Sequence, residues 1–238
     1  MIDLSKDHIE FTYQGNPNII TLDNEAQITF YEELLAMSII MRAKVKNPDI
    51  SPANHQQVFP QIKHIIEWLR TTDFYTAPAS TKYHEAYYGG LLRHTLLAYE
   101  QLVDLKSVAK FELVVDKQWW SAVFAILVHD WCKIGRYESY LKNVKDEQTG
   151  EWVQVSAYKY IEDPIGRLGH GTQSLIMAMQ VCNDYYTSLT FEEMAAIRWH
   201  MDNWDVTKYE ANDLYQCDSS IPMVRMVQFA DQLATTTY

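Results

Sequence analysis

The chain has 238 residues, 47% of them hydrophobic and 21% charged, and a formal net charge of −11. This is an ordinary globular composition that supplies one generous core. The negative surface excludes wrapping long duplex nucleic acid on a basic face, but it leaves room for a small phosphorylated substrate, because a bound divalent cation inverts the field locally.

The first ten residues, MIDLSKDHIE, are polar and acidic, unlike a secretory signal. Residues 1–22 read as irregular or weakly stranded, with QGNPN as a turn. From about Asn24 to Lys46 the pattern is helical, and NPDISP then breaks it. A second helix is expected through VFPQIKHIIEWLR, where Val58, Ile62, Ile65, Ile66 and Leu69 form a stripe. TAPASTKYHEAYYGG reads as a long loop. The strongest helix is expected from Gly90 to Val108, with Leu91, Thr95, Ala98, Leu102 and Leu105 at spacings of three and four. Another is expected from Lys117 to Trp131. Residues 138–161 alternate like two strands around DEQTGE, a surface hairpin. Helices are then expected near 171–186, 190–201 and 219–236, and Thr190 with Glu193 makes a capping box for the middle one. The fold class is therefore all-α with a small β-hairpin insertion, residues 1–50 forming an N-terminal extension on a domain of residues 51–238.

Cys132, Cys182 and Cys217 stand far apart without a CxxC pair, which fits a reducing compartment and gives neither a disulfide framework nor a thiolate zinc site. The apolar stretch 122–128 is too short to span a bilayer. A cytoplasmic protein without a membrane partner is the expectation.

Several polar residues interrupt apolar patterns. His94 lies on the apolar stripe of its helix, where a hydrogen-bonded core histidine is the ordinary reading. His129 and Asp130 end the apolar run SAVFAILVHDWCK and can simply cap it. Asp231 is harder to dismiss. Val224, Val227 and Ala234 stand at −7, −4 and +3 from it, which puts it mid-way along a buried face. An unpaired buried carboxylate costs several kcal/mol, so a compensating cation is expected, either an Arg or a metal. His170 precedes a helix, and His200 ends the capped helix, where it can serve as a dipole partner. Six of eight glycines (Gly89, Gly90, Gly135, Gly166, Gly169, Gly171) lie within five residues of these groups, as close backbone approach requires.

The order His94, His129-Asp130, Asp231 resembles the HD-domain superfamily of metal-dependent phosphohydrolases. YHEAYYGGLLRHTL is similar to the HHAYxGGLLEHT stretch of HD proteins related to a bacterial 3′–5′ exoribonuclease and to some relaxase-associated HD domains. HDWCKIG resembles their HDxGKI, and GHGTQS, AIRWHM and FADQLAT resemble segments of HD-domain hydrolases of phages and low-GC bacteria. The resemblance spans roughly residues 76–237. Cys132 replaces the usual Gly, Glu85 a frequent second His, and Arg93 a common Glu.

This resemblance implies a metal centre. His94, His129, Asp130 and Asp231 would hold one ion and His170 and His200 a second, with Asp130 bridging. Such ligands suit Mn, Fe, Ni, Co or Zn. Two ions about 3.5–4 Å apart clamp the attacking and leaving oxygens of a phosphoester, the attack coming from a metal-activated hydroxide. Lys133 would neutralise charge on the phosphoryl oxygens; alone it reads as a solvated helix-end lysine. His84, Arg136 and Arg167 are candidate substrate contacts, and Tyr87 and Trp204 candidate walls of a base pocket. The substrate implied is a nucleotide or short single-stranded nucleic acid rather than duplex DNA, in a bacterium or a phage-infected host. The alternatives are a mixed-valent di-iron oxygenase with the same six ligands and a metal-stabilised, non-catalytic binding module.

Overall fold

The computed structural model describes residues 1–161 and 168–236. Among them are eight α-helices and one two-stranded antiparallel sheet. Helix α1 (Asn24–Lys46) starts where the Asp23 side chain accepts the Ala26 N–H at 2.8 Å, and it runs through the middle of the molecule on α3 (Gly90–Asp104) and α4 (Glu112–Val128). Ile2, Leu4, Ile9 and Ile19 join the same apolar core as α1, so the first fifty residues are built into it. No strand forms in residues 1–22; Ile19–Thr21 is a 3-10 turn. Glu32 of α1 secures the N-terminus by accepting from Ile2 N and from the Arg70 guanidinium, all at 2.8 Å, the latter at the end of α2 (Phe59–Arg70).

The remaining helices are α5 (His170–Val181), α6 (Phe191–Trp199), α7 (Ala211–Ser220) and α8 (Pro222–Thr236). Helix α8 packs on α3, α4 and α6, and α5 packs on α6. The capping box of Thr190 and Glu193 is present at the start of α6. Glu193 also takes a bidentate pair of 2.6 Å bonds from Arg42, tying α6 to α1 in the interior. Strands β1 (Tyr137–Lys145) and β2 (Trp152–Tyr160) pair in register from Tyr137↔Tyr160 to Lys145↔Trp152, and both faces are largely exposed.

Five expected boundaries are corrected. Helix α3 stops at Asp104 and gives way to a 3-10 turn, Leu105–Ser107, short of Val108. Helix α4 begins five residues before Lys117, because its first turn precedes a kink at Gln118 (φ −132°) that breaks the periodicity. It ends at Val128, before the expected Trp131. Helix α5 closes at Val181. The expected helix 219–236 is two: Pro222 has no amide N–H and disfavours helix at Ile221, which is extended (φ −124°, ψ 91°) between α7 and α8.

Candidate metal centre

Each polar side chain is set by local backbone. Gly89, at φ +80°, turns the chain into α3. A Cβ on Gly90 would lie 1.9 Å from the Glu85 carbonyl, so only glycine lets the loop press on the helix that carries His94. The fully buried run Ala122–Val128 of α4 delivers His129 at its end. Asp130 (φ −109°, ψ 18°) leaves the helix and enters a 3-10 turn, Trp131–Lys133, whose Cys132 N–H donates to Ser174 Oγ at 3.0 Å. His200 occupies the equivalent position after α6. Asp231 lies on the buried face of α8.

His129 Nδ1 donates to the Ile126 carbonyl at 2.6 Å, and His200 Nδ1 donates to the Ile197 carbonyl at 2.8 Å. A carbonyl only accepts, so each contact fixes the tautomer whose lone pair is on Nε2. Those Nε2 atoms face the two carboxylates. His94 Nε2 lies 3.0 Å from Asp231 Oδ1 and 3.4 Å from Asp130 Oδ2, and His129 Nε2 is 3.4 Å from both oxygens. Asp130 turns its other oxygen, Oδ1, toward His200 Nε2 at 3.7 Å. Overlapping groups result, each with one ligand atom per residue within 4.8 Å of the others, and three of them hold the expected ligands: His94, His129 and Asp231; His129, Asp130 and His200; and Asp130, Cys132 and His170. All six expected metal ligands are linked through these groups, His170 by way of Asp130 and Cys132 alone.

His55 supplies the contrast. Its Nε2 accepts Ile9 N–H at 2.9 Å and its Nδ1 donates to Pro52 O at 2.8 Å, a core histidine with both nitrogens engaged. At the centre, by comparison, His129 Nε2, His200 Nε2, His170 Nδ1 and Asp130 Oδ1 are buried without a hydrogen-bond partner among the described residues. Buried lone pairs left unpaired cost roughly 1–3 kcal/mol each. A cation among them offsets that cost, and mixed imidazole and carboxylate donors suit a transition ion, so the residues fit a metal.

The charges are strongly coupled. Burial alone would raise the Asp130 carboxyl, but Lys133 and His129 outweigh it and hold the group well below the usual range. Asp231 behaves likewise, held down by the neighbouring His129 and His94 imidazoles. Without a cation the carboxylates favour a second proton on these imidazoles. Burial opposes charge on His129, yet Asp130 and Asp231 lift it to about 10, and His94 is lifted for the same reason, so an ion at Nε2 would take that proton's place.

The remaining expected residues divide. Lys133 is buried rather than solvated, with its Nζ 2.7 Å from Asp130 Oδ2. His84 packs on His94 with ring centroids 4.8 Å apart, and burial, followed by His94 and Lys133, pushes its pKa down to about 4. It is a neutral neighbour of the centre. Arg136 is buried and donates to Gln173 Oε1 at 2.8 Å, joining the base of the hairpin to α5. Tyr87 is about half exposed and Trp204 is 86% exposed, so Trp204 walls no enclosed pocket. Arg167 lies outside the described residues.

Asp205 was not legible as part of this region. It accepts Gly171 N–H at 2.9 Å and pairs with Arg198 at 3.4 Å, bracing the start of α5 that carries His170. A Cβ on Gly169 would meet its carboxylate at 2.4 Å. Nothing in the sequence pairs residues 171 and 205. No helix among the described residues is long and apolar enough to cross a membrane. Comparison with family models, with curated proteins and with solved structures finds no match to this chain.

Proposed function

We propose that this chain is a metal-dependent phosphohydrolase of the HD-domain type, acting on a nucleotide or a short single-stranded nucleic acid. The observation that carries the reading is the two-sided Asp130: one oxygen faces His94 and His129, and the other, unpartnered, faces His200. A carboxylate placed so between two sets of imidazoles is suited to bridge two cations. His94, His129 and Asp231 would hold one ion, and His170 and His200 the other.

When bound, divalent ions supply Lewis-acid polarisation and activate water at neutral pH. The chain's own residues do the rest. The carbonyls of Ile126 and Ile197 hold two imidazoles in the ligating tautomer. Asp205 and Ser174 fix the turn and helix that border the centre. Lys133 Nζ lies beside Asp130 in a site where water is scarce, so its charge acts strongly on an anionic phosphoryl group. Substrate would enter from the side of His84, Glu85 and His170, which are only partly buried.

The Lys133–Asp130 contact favours a second reading, in which the network is a metal-free ion-pair core of a binding module. Assaying the Mn-loaded and Ni-loaded chain against nucleotides, cyclic nucleotides and short oligonucleotides tests the proposal. Metal-dependent release of phosphate or mononucleotide is expected. A metal-loaded chain inert on the whole panel would overturn it.

A further inference from the structure

A neutral imidazole has one lone pair and one N–H, so a histidine that ligates through Nε2 needs an acceptor for its Nδ1–H. His129 and His200 have theirs in the carbonyls of Ile126 and Ile197. His94 Nδ1 is buried and has no hydrogen-bond partner among the described residues. In the loop that precedes α3, Glu85 Oε2 and His84 Nε2 are also buried without a partner among the described residues. One potential ligand atom of each of His84, Glu85 and His94 lies within 4.8 Å of the other two.

Such a trio has the composition of a further cation site, but His94 cannot serve it. Its Nε2 is already directed at Asp231 and Asp130, and binding through Nδ1 as well would require an imidazolate. We propose instead that Glu85 is a positioning residue: its unpaired carboxylate closes on the likewise unpaired Nδ1–H of His94, a shift from the arrangement described here, and fixes Nε2 toward the centre. The proposal rests on the metal-centre reading above.

The local backbone is built to hold Glu85 there. Its φ of +41° is left-handed, an uncommon conformation for a residue other than glycine. Its carbonyl accepts Ala79 N–H at 3.0 Å and presses on Gly90, while Ser80 Oγ donates to the His84 carbonyl at 2.7 Å. An ionised carboxylate is also a stronger acceptor than an imidazole nitrogen. His84 packs with its ring tilted 40° to that of His94.

The test is Mn(II) affinity and stoichiometry of the full chain by chelator competition, for wild type, Glu85→Ala, Glu85→Gln and His84→Ala. Alanine leaves the left-handed backbone cost unchanged, and the amide oxygen of glutamine can still accept. Glu85→Ala should weaken Mn(II) binding by about 10–100-fold at unchanged saturating stoichiometry. Glu85→Gln and His84→Ala should stay close to wild type. Loss of a whole equivalent in both Glu85→Ala and His84→Ala would reveal a third cation site and overturn the proposal. Unchanged affinity in Glu85→Ala, or an effect confined to His84→Ala, would also overturn it. If the wild type takes up no Mn(II), the metal-centre reading fails by itself, and nitrogen-15 NMR of His94 then decides. A slowly exchanging Nδ1–H in wild type and Glu85→Gln, lost in Glu85→Ala, supports the contact; the same signal in all three sinks it.

Discussion

Trp131 donates its indole N–H to the hydroxyl of Tyr31 at 3.2 Å, and that hydroxyl donates onward to the Leu127 carbonyl at 2.9 Å. The first long helix thereby holds the turn that carries His129, Asp130 and Lys133. Tyr31→Phe removes one hydroxyl and strands two buried groups, so it should cost about 1–3 kcal/mol in chemical denaturation. Metal retention should fall in the same variant, because the turn it anchors bears two of the proposed ligands. A variant as stable as wild type would show that the turn holds itself.

Gly171 is a second anchor. A Cβ there would stand 1.9 Å from the Arg198 carbonyl, a backbone atom that cannot swing aside. Gly171→Ala should destabilise by about 1–3 kcal/mol or more. It should also displace His170 from the centre, measurable as a lower melting temperature and a loss of metal.

The thiols report on packing. Burial pushes Cys132 and Cys182 up to about 12, and both are almost fully inaccessible, while Cys217 is partly exposed. Because the thiolate is the reactive form, iodoacetamide at about pH 8 should label Cys217 alone in the native chain and all three cysteines in denaturant. Fast native labelling of Cys132 would mean that the turn beside Asp130 opens.

How much of this was legible in the residues follows from range. Asp231 was exposed as a buried carboxylate by the apolar residues one and two turns away on its own helix. The hairpin and the capping box of α6 are likewise local patterns. Helix α7 escaped because ANDLYQCDSS buries only Leu214 and so has no stripe to read. The start of α4 escaped because the kink at Gln118 shifts its phase. Lys133 resembled a solvated lysine, since its burial comes from elements distant in sequence. The pairs Arg42–Glu193 and Gly171–Asp205, 151 and 34 residues apart, leave no mark in a single chain.

Lys133→Met keeps the volume of a buried side chain and removes its charge. Phosphoester turnover by the metal-loaded chain should fall by about 10²-fold, the cost of losing one transition-state donor. Metal content should not fall, since the ammonium competes with cations for Asp130 rather than recruiting them. Turnover that survives would reassign Lys133 to the structural neutralisation of Asp130.

Metal per chain, counted after loading with Mn or Fe and exhaustive dialysis, tests whether these buried imidazoles and carboxylates form a metal centre. Wild type, Asp130→Ala and His200→Ala are the chains to compare. Two equivalents are expected in wild type, one in His200→Ala, and a severe loss in Asp130→Ala, because a carboxylate that bridges would serve both ions. A wild-type chain that emerges as free of metal as Asp130→Ala would contradict a metal centre and leave the cluster as a buried ion-pair network.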